Sequence, residues 1–503
     1  MEKQNNILLT TTLPYANSEG HIGHALEFVQ ADVIARWLRD RNPVGHENNN
    51  VFFNVGLDQH GAKIAQAADD SGLDPVSFLA GMTSAWKDFC EKLGITYDYF
   101  YETARKGHHV KVQQAFNILL HRNLIYKKEY EGTYCRGCEA FKVASELVDG
   151  KCPDHPNTVL EKVKEENWFF KLSEFTGVID ENGHIPGFLI PDNKITEFEN
   201  LVKGAGDISV SRPGERARWG IPVPVKGDEQ LIYVWFDALL NYYFAPEAYA
   251  VTNDLADTEY NKDLPVTWEG FDKRIQICGP DNLRFQAIIW QAILKSIDSV
   301  PTDHILVHGT VLDENGRKMS KSLGHGVKPL EQIEKYGQDA VRYYLTAGLS
   351  NWSNSSYSEK GLIEFCNAEL ADNYGNLVNR VSTLIKRKEL SFEKGNFQPD
   401  GWSPKDGDLF PWELDEAFQL LDKFELQQAA KLVSDLVKGA NKYINDKRPW
   451  SAPLEDAEET LLTLQRFLFR VTNFYKYFTP GAAEKAHAQL TGKEVEQVFK
   501  RIV

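Results

Sequence analysis

Lys318 and Lys321 stand in the stretch GRKMSKSLG, Gly316 to Gly324, a glycine-bracketed loop that mixes cations with hydroxyl and thioether side chains. Ammonium groups on flexible stems suit the task of following phosphate charge as it grows in a transition state. Much earlier in the chain, LPYANSEGHIGHALEF places His21 and His24 three residues apart at the expected start of a helix. Both imidazoles then leave one face of the first turn, where unpaired N–H groups and the positive dipole end favour an anion. Gly20 and Gly23 let a ligand come close to the backbone. Each motif alone has an ordinary reading, solvated histidines at a helix start or a solvated lysine loop. Set at strand ends of one sheet, the two together read as a triphosphate site.

A second chemistry is spelled by cysteine. Cys135-Arg-Gly-Cys138 and Cys152-Pro-Asp-His155 make C-x2-C, thirteen residues, then C-x2-H. Three thiolates and an imidazole satisfy tetrahedral Zn²⁺, and closed four-ligand sites of this kind are structural. Six cysteines are few for this length, and three of them fall within eighteen residues, which suits a reduced compartment better than a disulfide framework. Cys90, Cys278 and Cys366 read as small buried residues.

Those groups need elements to position them. NILLTTTL and VFFNVGL are short apolar runs rich in β-branched residues, and Ile22, Leu26, Val29, Val33 and Trp37 recur between them at helical spacing. That is strand, helix, strand, the opening of a parallel α/β sheet. RIQICG and DHILVHGTVL read as later buried strands, with NLRFQAIIWQAILKSI as the helix between them. We therefore expect a Rossmann-type α/β catalytic domain in two halves, 1–113 and 231–325, split by an insertion over 114–230 with a zinc knuckle at 135–155. A linker over 326–360 leads to a helical bundle over 361–503, where LQQAAKLVSDLVKGANKYI lines up one apolar face. FQPDGWSPKDGDLFP is a loop between its helices.

At 503 residues the chain exceeds one hydrophobic core, so two to four domains are expected. No apolar run approaches the ~18 residues of a membrane span, and MEKQNNILLT has no signal-peptide character. A soluble, cytoplasmic protein with no membrane partner is the expectation. The net charge of −16 excludes a nucleic-acid coat over the whole surface but not a local basic face, such as LIKRKE or NDKRPW.

His21-Ile22-Gly23-His24 and Lys318 to Ser322 resemble the HIGH and KMSKS signatures of class I aminoacyl-tRNA synthetases. LPYANSEGHIGH, YVWFDALLNYY and NKYINDKRPW resemble the methionyl-tRNA synthetase family in particular, and the similarity runs from about residue 7 to about 480. The resemblance implies methionine activation by ATP, with Mg²⁺ as its transient companion, followed by acyl transfer to tRNA(Met). It implies that Lys321, assisted by Lys318, stabilises the transition state with His21 and His24. It assigns Tyr15, Asn17, Gly23, Glu27 and Asp281 to ATP, and Leu13, Tyr15, Asp58, Trp235, Ala238, Leu239, Tyr242 and Gln286 to L-methionine. Asn376, Arg380 and Trp450 would read the CAU anticodon by stacking and hydrogen bonding. It supports the structural Zn²⁺ held by Cys135, Cys138, Cys152 and His155. Pro280, Leu239 and Gln286 depart from common family forms, which carry lysine, proline and histidine there. Asp58 could also cap the helix after it, and Trp450 could cap the bundle. A monomer is expected.

Other readings are a class I synthetase for another amino acid, a non-catalytic tRNA-binding paralogue, and an HxGH nucleotidyltransferase that ignores tRNA. The insertion is short for a large editing domain, the two signatures are intact, and a nucleotidyltransferase has no use for the helical region.

Overall fold

Strands buried on both faces need near-continuous apolar runs, and a parallel sheet covered by helices supplies that burial. The computed structural model describes residues 5–41, 49–135, 140–142, 147–153, 157–252, 264–319, 327–391, 409–493 and 497–503. Strand β1 (Asn6–Thr10) leads through helix α1 (Ile22–Asp40) to β2 (Asn50–Leu57), and all but the first residue of each strand is buried. Next comes β3 (Tyr99–Glu102). The chain then leaves for an antiparallel set, β4 (Ile125–Cys135), β5 (Ala140–Lys142) and β6 (Glu161–Phe170), in which β4 pairs with both others. It returns as β7 (Leu189–Ile190), adds β8 (Ile208–Ser209) to β6, and forms a short ladder of β9 (Ser211–Pro213) with β10 (Gln230–Ile232). β11 (Lys273–Cys278) and β12 (His304–Val307) follow, then β13 (Val311–Leu312), which pairs with β14 (Ser355–Ser356).

The main sheet runs β3-β2-β1-β11-β12-β7, parallel throughout. Its strand order reverses between β1 and β11, and the crevice beyond the carboxyl ends of such a pair is where open α/β sheets bind ligands. Side chains alternate across it: Ile7 and Leu9 enter one core, Leu8 and Phe52 the other.

Two features go beyond the sequence pattern. β7, from the stretch expected as insertion, pairs with β12 and forms an edge of the main sheet, and residue 114 lies inside the helix Lys106–His121. DHILVHGTVL, expected as one strand, forms two. The break falls at Gly309, where a Cβ would sit 2.0 Å from the Ser353 carbonyl oxygen, because another backbone segment crosses there.

Beyond β14 the regular elements among the described residues are helical. Leu426–Lys447 and Leu454–Phe478 match the expected apolar faces, and their buried side chains share one core with α1 and with β1. FQPDGWSPKDGDLFP lies almost wholly outside the described residues. No helix among the described residues is long and apolar enough to cross a membrane.

Candidate active site

A helix start leaves backbone N–H groups without intrahelical partners, and here two imidazoles satisfy several of them. His21 is the N-cap of α1: its Nδ1 accepts from the Gly23 and His24 N–H groups at 3.1 and 3.3 Å. His24 Nδ1 accepts in turn from the His21 N–H at 3.2 Å, which closes a capping box. The rings stack with centroids 3.6 Å apart. Because both Nδ1 atoms accept, each neutral ring carries its proton on Nε2, the tautomer that donates to a phosphoryl oxygen. Gly23 leaves room for the folded-back ring, since a Cβ there would meet His21 at 3.0 Å. Gly20 is small for another reason than ligand approach: a Cβ would lie 2.5 Å from the Phe89 ring.

Asp281 follows β11, the strand beside β1, in a short 3₁₀ turn begun by Pro280. Its carboxylate is exposed and lies 3.6 Å from the Lys318 ammonium. Lys318 is held by a bridge to Leu312, and the turn between them is tied by the Asp313 carboxylate, which accepts from the Asn315 and Arg317 N–H groups at 2.9 Å each. Lys321 lies outside the described residues.

Glu27 is buried, and both of its oxygens are engaged inside the protein. One accepts from Thr12 N–H and Oγ1 at 2.7 and 2.6 Å; the other is 3.1 Å from His308 Nε2. Burial opposes charge on His308, but Glu27 outweighs it and holds the imidazole pKa above the ordinary value. Nothing in the sequence near His308 points to this contact, since its partner Glu27 is 281 residues earlier, on α1.

The residues expected around the amino acid come from four segments, and several of them touch. Tyr15 and Asp58 form an isolated parallel bridge, and Asp58 N–H and C=O bond to Pro14 O and Ala16 N at 2.9 Å each, just past the half-buried Leu13. Gly61, with no side-chain bond, is the N-cap of the following helix, so Asp58 does not cap it. Trp235 meets Tyr15 edge-on at 6.1 Å and stacks on Phe285 at 3.7 Å. Ala238 and Leu239 share the Trp235 helix, Val234–Leu239. Tyr242 and Gln286 are buried, and the Gln286 amide donates to the Tyr242 hydroxyl at 2.7 Å. Gln276 Nε2 donates to Gln286 Oε1 at 3.0 Å, and Thr302 Oγ1 to Gln276 Oε1 at 2.6 Å. A run of buried amides thus sets the tyrosine's direction. Asn17, half-buried, lies between Tyr15 and the start of α1.

This arrangement has close relatives. The family described as tRNA synthetases class I (M) matches residues 7–159 and 154–382. Methionine--tRNA ligase of Caldanaerobacter subterraneus is 34% identical over 495 residues, 96% of this chain and 73% of that one. The Thermotoga maritima ligase of the same name is 34% identical over 91% of this chain and 70% of its own. The chain belongs to the methionyl-tRNA synthetase family. A Mycobacterium tuberculosis methionyl-tRNA synthetase in complex with methionyl-adenylate superposes with a TM-score of 0.81 at 28% identity, covering 96% of this chain and 93% of that one. Family membership fixes the α/β sheet with its helical C-terminal region as the shared architecture.

The other expected family sites lie far from this crevice in sequence. Asn376, exposed, opens the helix Asn376–Arg387, and Arg380 sits one turn on. The Arg380 guanidinium is 6.0 Å from the Trp450 ring and donates to Asn445 Oδ1 at 2.7 Å. Trp450 is 47% exposed, so it presents much of its ring to solvent rather than sealing the bundle. Cys135 closes β4 and Cys152 follows the Val148–Lys151 bridge; both thiols are buried. Cys138 and His155 lie outside the described residues. Cys90, Cys278 and Cys366 are buried as expected.

Proposed function

We propose that the chain activates L-methionine with ATP and then charges tRNA(Met). A methionine carboxylate oxygen attacks the α-phosphorus, the bond to the bridging oxygen of pyrophosphate breaks, and methionyl-adenylate forms. A 3′-terminal ribose hydroxyl of tRNA then attacks the carbonyl carbon and AMP leaves. The observation that carries the reading is the pair of stacked first-turn imidazoles whose capping bonds force Nε2–H tautomers, set at the sheet's switch point in a chain of this family.

Such a displacement needs positioning and charge stabilisation more than covalent help. His21 and His24 donate to the triphosphate, while Lys321, assisted by Lys318, follows charge onto pyrophosphate. The 3.6 Å contact of Lys318 with Asp281 supports a loop that exchanges a carboxylate for phosphate when ATP arrives, leaving Asp281 for the ribose. Asp58 receives the α-ammonium beside the Leu13 backbone, and Trp235, Ala238, Leu239 and Tyr242 enclose the thioether. Glu27 acts on the nucleotide side through His308. Mg²⁺ bound with ATP would offset phosphate charge. Asn376, Arg380 and Trp450 read the anticodon, for which a guanidinium lying against a half-exposed indole is apt chemistry.

Zn²⁺ would be held by Cys135, Cys138, Cys152 and His155. The two described members are buried thiols, the donor chemistry of a thiolate zinc site. Bound zinc supplies folding free energy to this segment. Metal analysis is expected to find one zinc per chain, and chelation to lower Tm. A cytoplasmic setting, where thiols stay reduced, accords with this.

ATP–pyrophosphate exchange across the twenty amino acids tests the reading. Exchange with methionine, followed by charging of a CAU-anticodon tRNA, is expected; exchange with a different amino acid, or none, would overturn it.

A further inference from the structure

Asp237 sits on the helix that carries Trp235, Ala238 and Leu239, and it is wholly buried. A carboxylate in such a place persists only if paired and hydrogen-bonded. His60 Nδ1 lies 3.3 Å from Oδ2 and 3.4 Å from Oδ1; His108 Nε2 lies 3.6 Å from Oδ1. His108 Nδ1 is 2.9 Å from the Tyr101 hydroxyl. With His108 Nε2 facing the Asp237 carboxylate, the ring presents Nε2–H to it, which leaves Nδ1 to accept from the Tyr101 hydroxyl. His60 Nε2 is in turn 3.1 Å from Nε2 of the half-buried His109, whose pKa falls to about 4 through burial first and then through its histidine neighbours. Burial works against ionisation of Asp237, and His60 with His108 outweighs it.

The contacts continue past His60. Its peptide N–H lies 3.4 Å from Asp58 Oδ1, and the Trp219 indole donates to the carbonyl of the preceding Gln59 at 2.8 Å. One buried carboxylate thus joins the segment after β2, the helix Lys106–His121 and the helix bearing the aromatic pocket wall.

We propose that Asp237 is a positioning residue for the amino-acid substrate, fixing the Asp58 carboxylate against the Trp235 wall through the ring and peptide N–H of His60. This rests on Asp58 as the partner of the α-ammonium. Asp237→Asn keeps the shape and one acceptor but removes the charge that holds the imidazole. In ATP–pyrophosphate exchange it is expected to raise KM for methionine about tenfold or more, with KM for ATP unchanged within about twofold. His60→Ala gives the same split. His60→Asn, whose amide nitrogen reaches the Nδ1 position, recovers most of the loss. A merely structural role would move both KM values together, or lower only the titrated fraction of active enzyme, and either result overturns the proposal. So does a His60→Asn variant as impaired as His60→Ala, a comparison that decides the matter alone if Asp237→Asn does not fold. Failure of the unsubstituted chain to exchange with methionine is a separate result: it removes the functional reading, and this proposal with it.

Discussion

His21 has two duties that one substitution can separate. As N-cap it satisfies the Gly23 and His24 N–H groups through Nδ1, and as a phosphate donor it would use Nε2. Asparagine places an oxygen where Nδ1 sits and has nothing at Nε2. His21→Ala is therefore expected to cost about 1 kcal/mol of stability and about 100-fold in exchange rate, whereas His21→Asn keeps the stability and loses the rate. Urea unfolding and exchange kinetics on the same preparations check this; equal rates for Asn and wild type would refute the donor role. His308 allows a test by pH. Its folded pKa lies above the unfolded value near 6.5, so its charged bond to Glu27 contributes fully below pH 6.5 and fades as pH climbs through the folded value. His308→Gln keeps a neutral donor. Wild type is expected to exceed it by about 1–2 kcal/mol at pH 6, with the gap closing as pH climbs through the folded value. A gap constant with pH would show that the ring is never charged.

Elements were legible where their signals are local. β1, α1 and β2 follow from burial and periodicity within about fifty residues, and so does the first-turn placement of His21 and His24. What stayed hidden depends on partners distant in sequence. β7 is two residues long and carries no period of its own; only pairing with β12 makes it a strand. Glu27 with His308, and Asp237 with His60 and His108, are joined across long separations that no local pattern encodes. Gly309 belongs to this class, since its neighbour comes from the Ser353 backbone. The side chain of Gly309→Ala would overlap a carbonyl oxygen that cannot rotate aside, so we expect a loss of about 3 kcal/mol in urea unfolding. Because β13 leads into the turn that carries Lys318, the same variant should raise KM for ATP more than KM for methionine. Unchanged stability would mean that the two backbones do not cross there.

At the scale of the whole molecule, one core runs from β1 through α1 to the C-terminal helices, and an ion pair is buried within it. Arg342 lies 2.7 Å from Asp32 of α1, with neither side chain exposed. Its remaining N–H groups donate to the carbonyls of Leu93, Tyr477 and Phe478 at 2.9, 3.0 and 3.1 Å, the last two at the end of the helix Leu454–Phe478. Asp32 also accepts from Arg36 Nε and Thr96 N–H at 2.7 Å each. One guanidinium therefore joins α1 to the helical region, and the two parts should unfold together. Removing one partner strands the other charge in the core: Arg342→Met is expected to cost about 3–5 kcal/mol. Asp32→Asn with Arg342→Met should cost less than the sum of the two single changes, because the double variant leaves no unpaired charge. Burial raises the Asp32 pKa, and its arginine neighbours outweigh this, so the folded value lies below 3.8. The pair's contribution is thus complete above pH 3.8 and disappears as pH falls through the folded value, which narrows the gap between wild type and Arg342→Met in acid. Tryptophan fluorescence and far-ultraviolet circular dichroism in urea should report one shared midpoint, lowered in each single variant. Two separate midpoints in the wild type, with Arg342→Met moving only one, would mean that sheet and bundle fold independently and that the buried pair does not unite them.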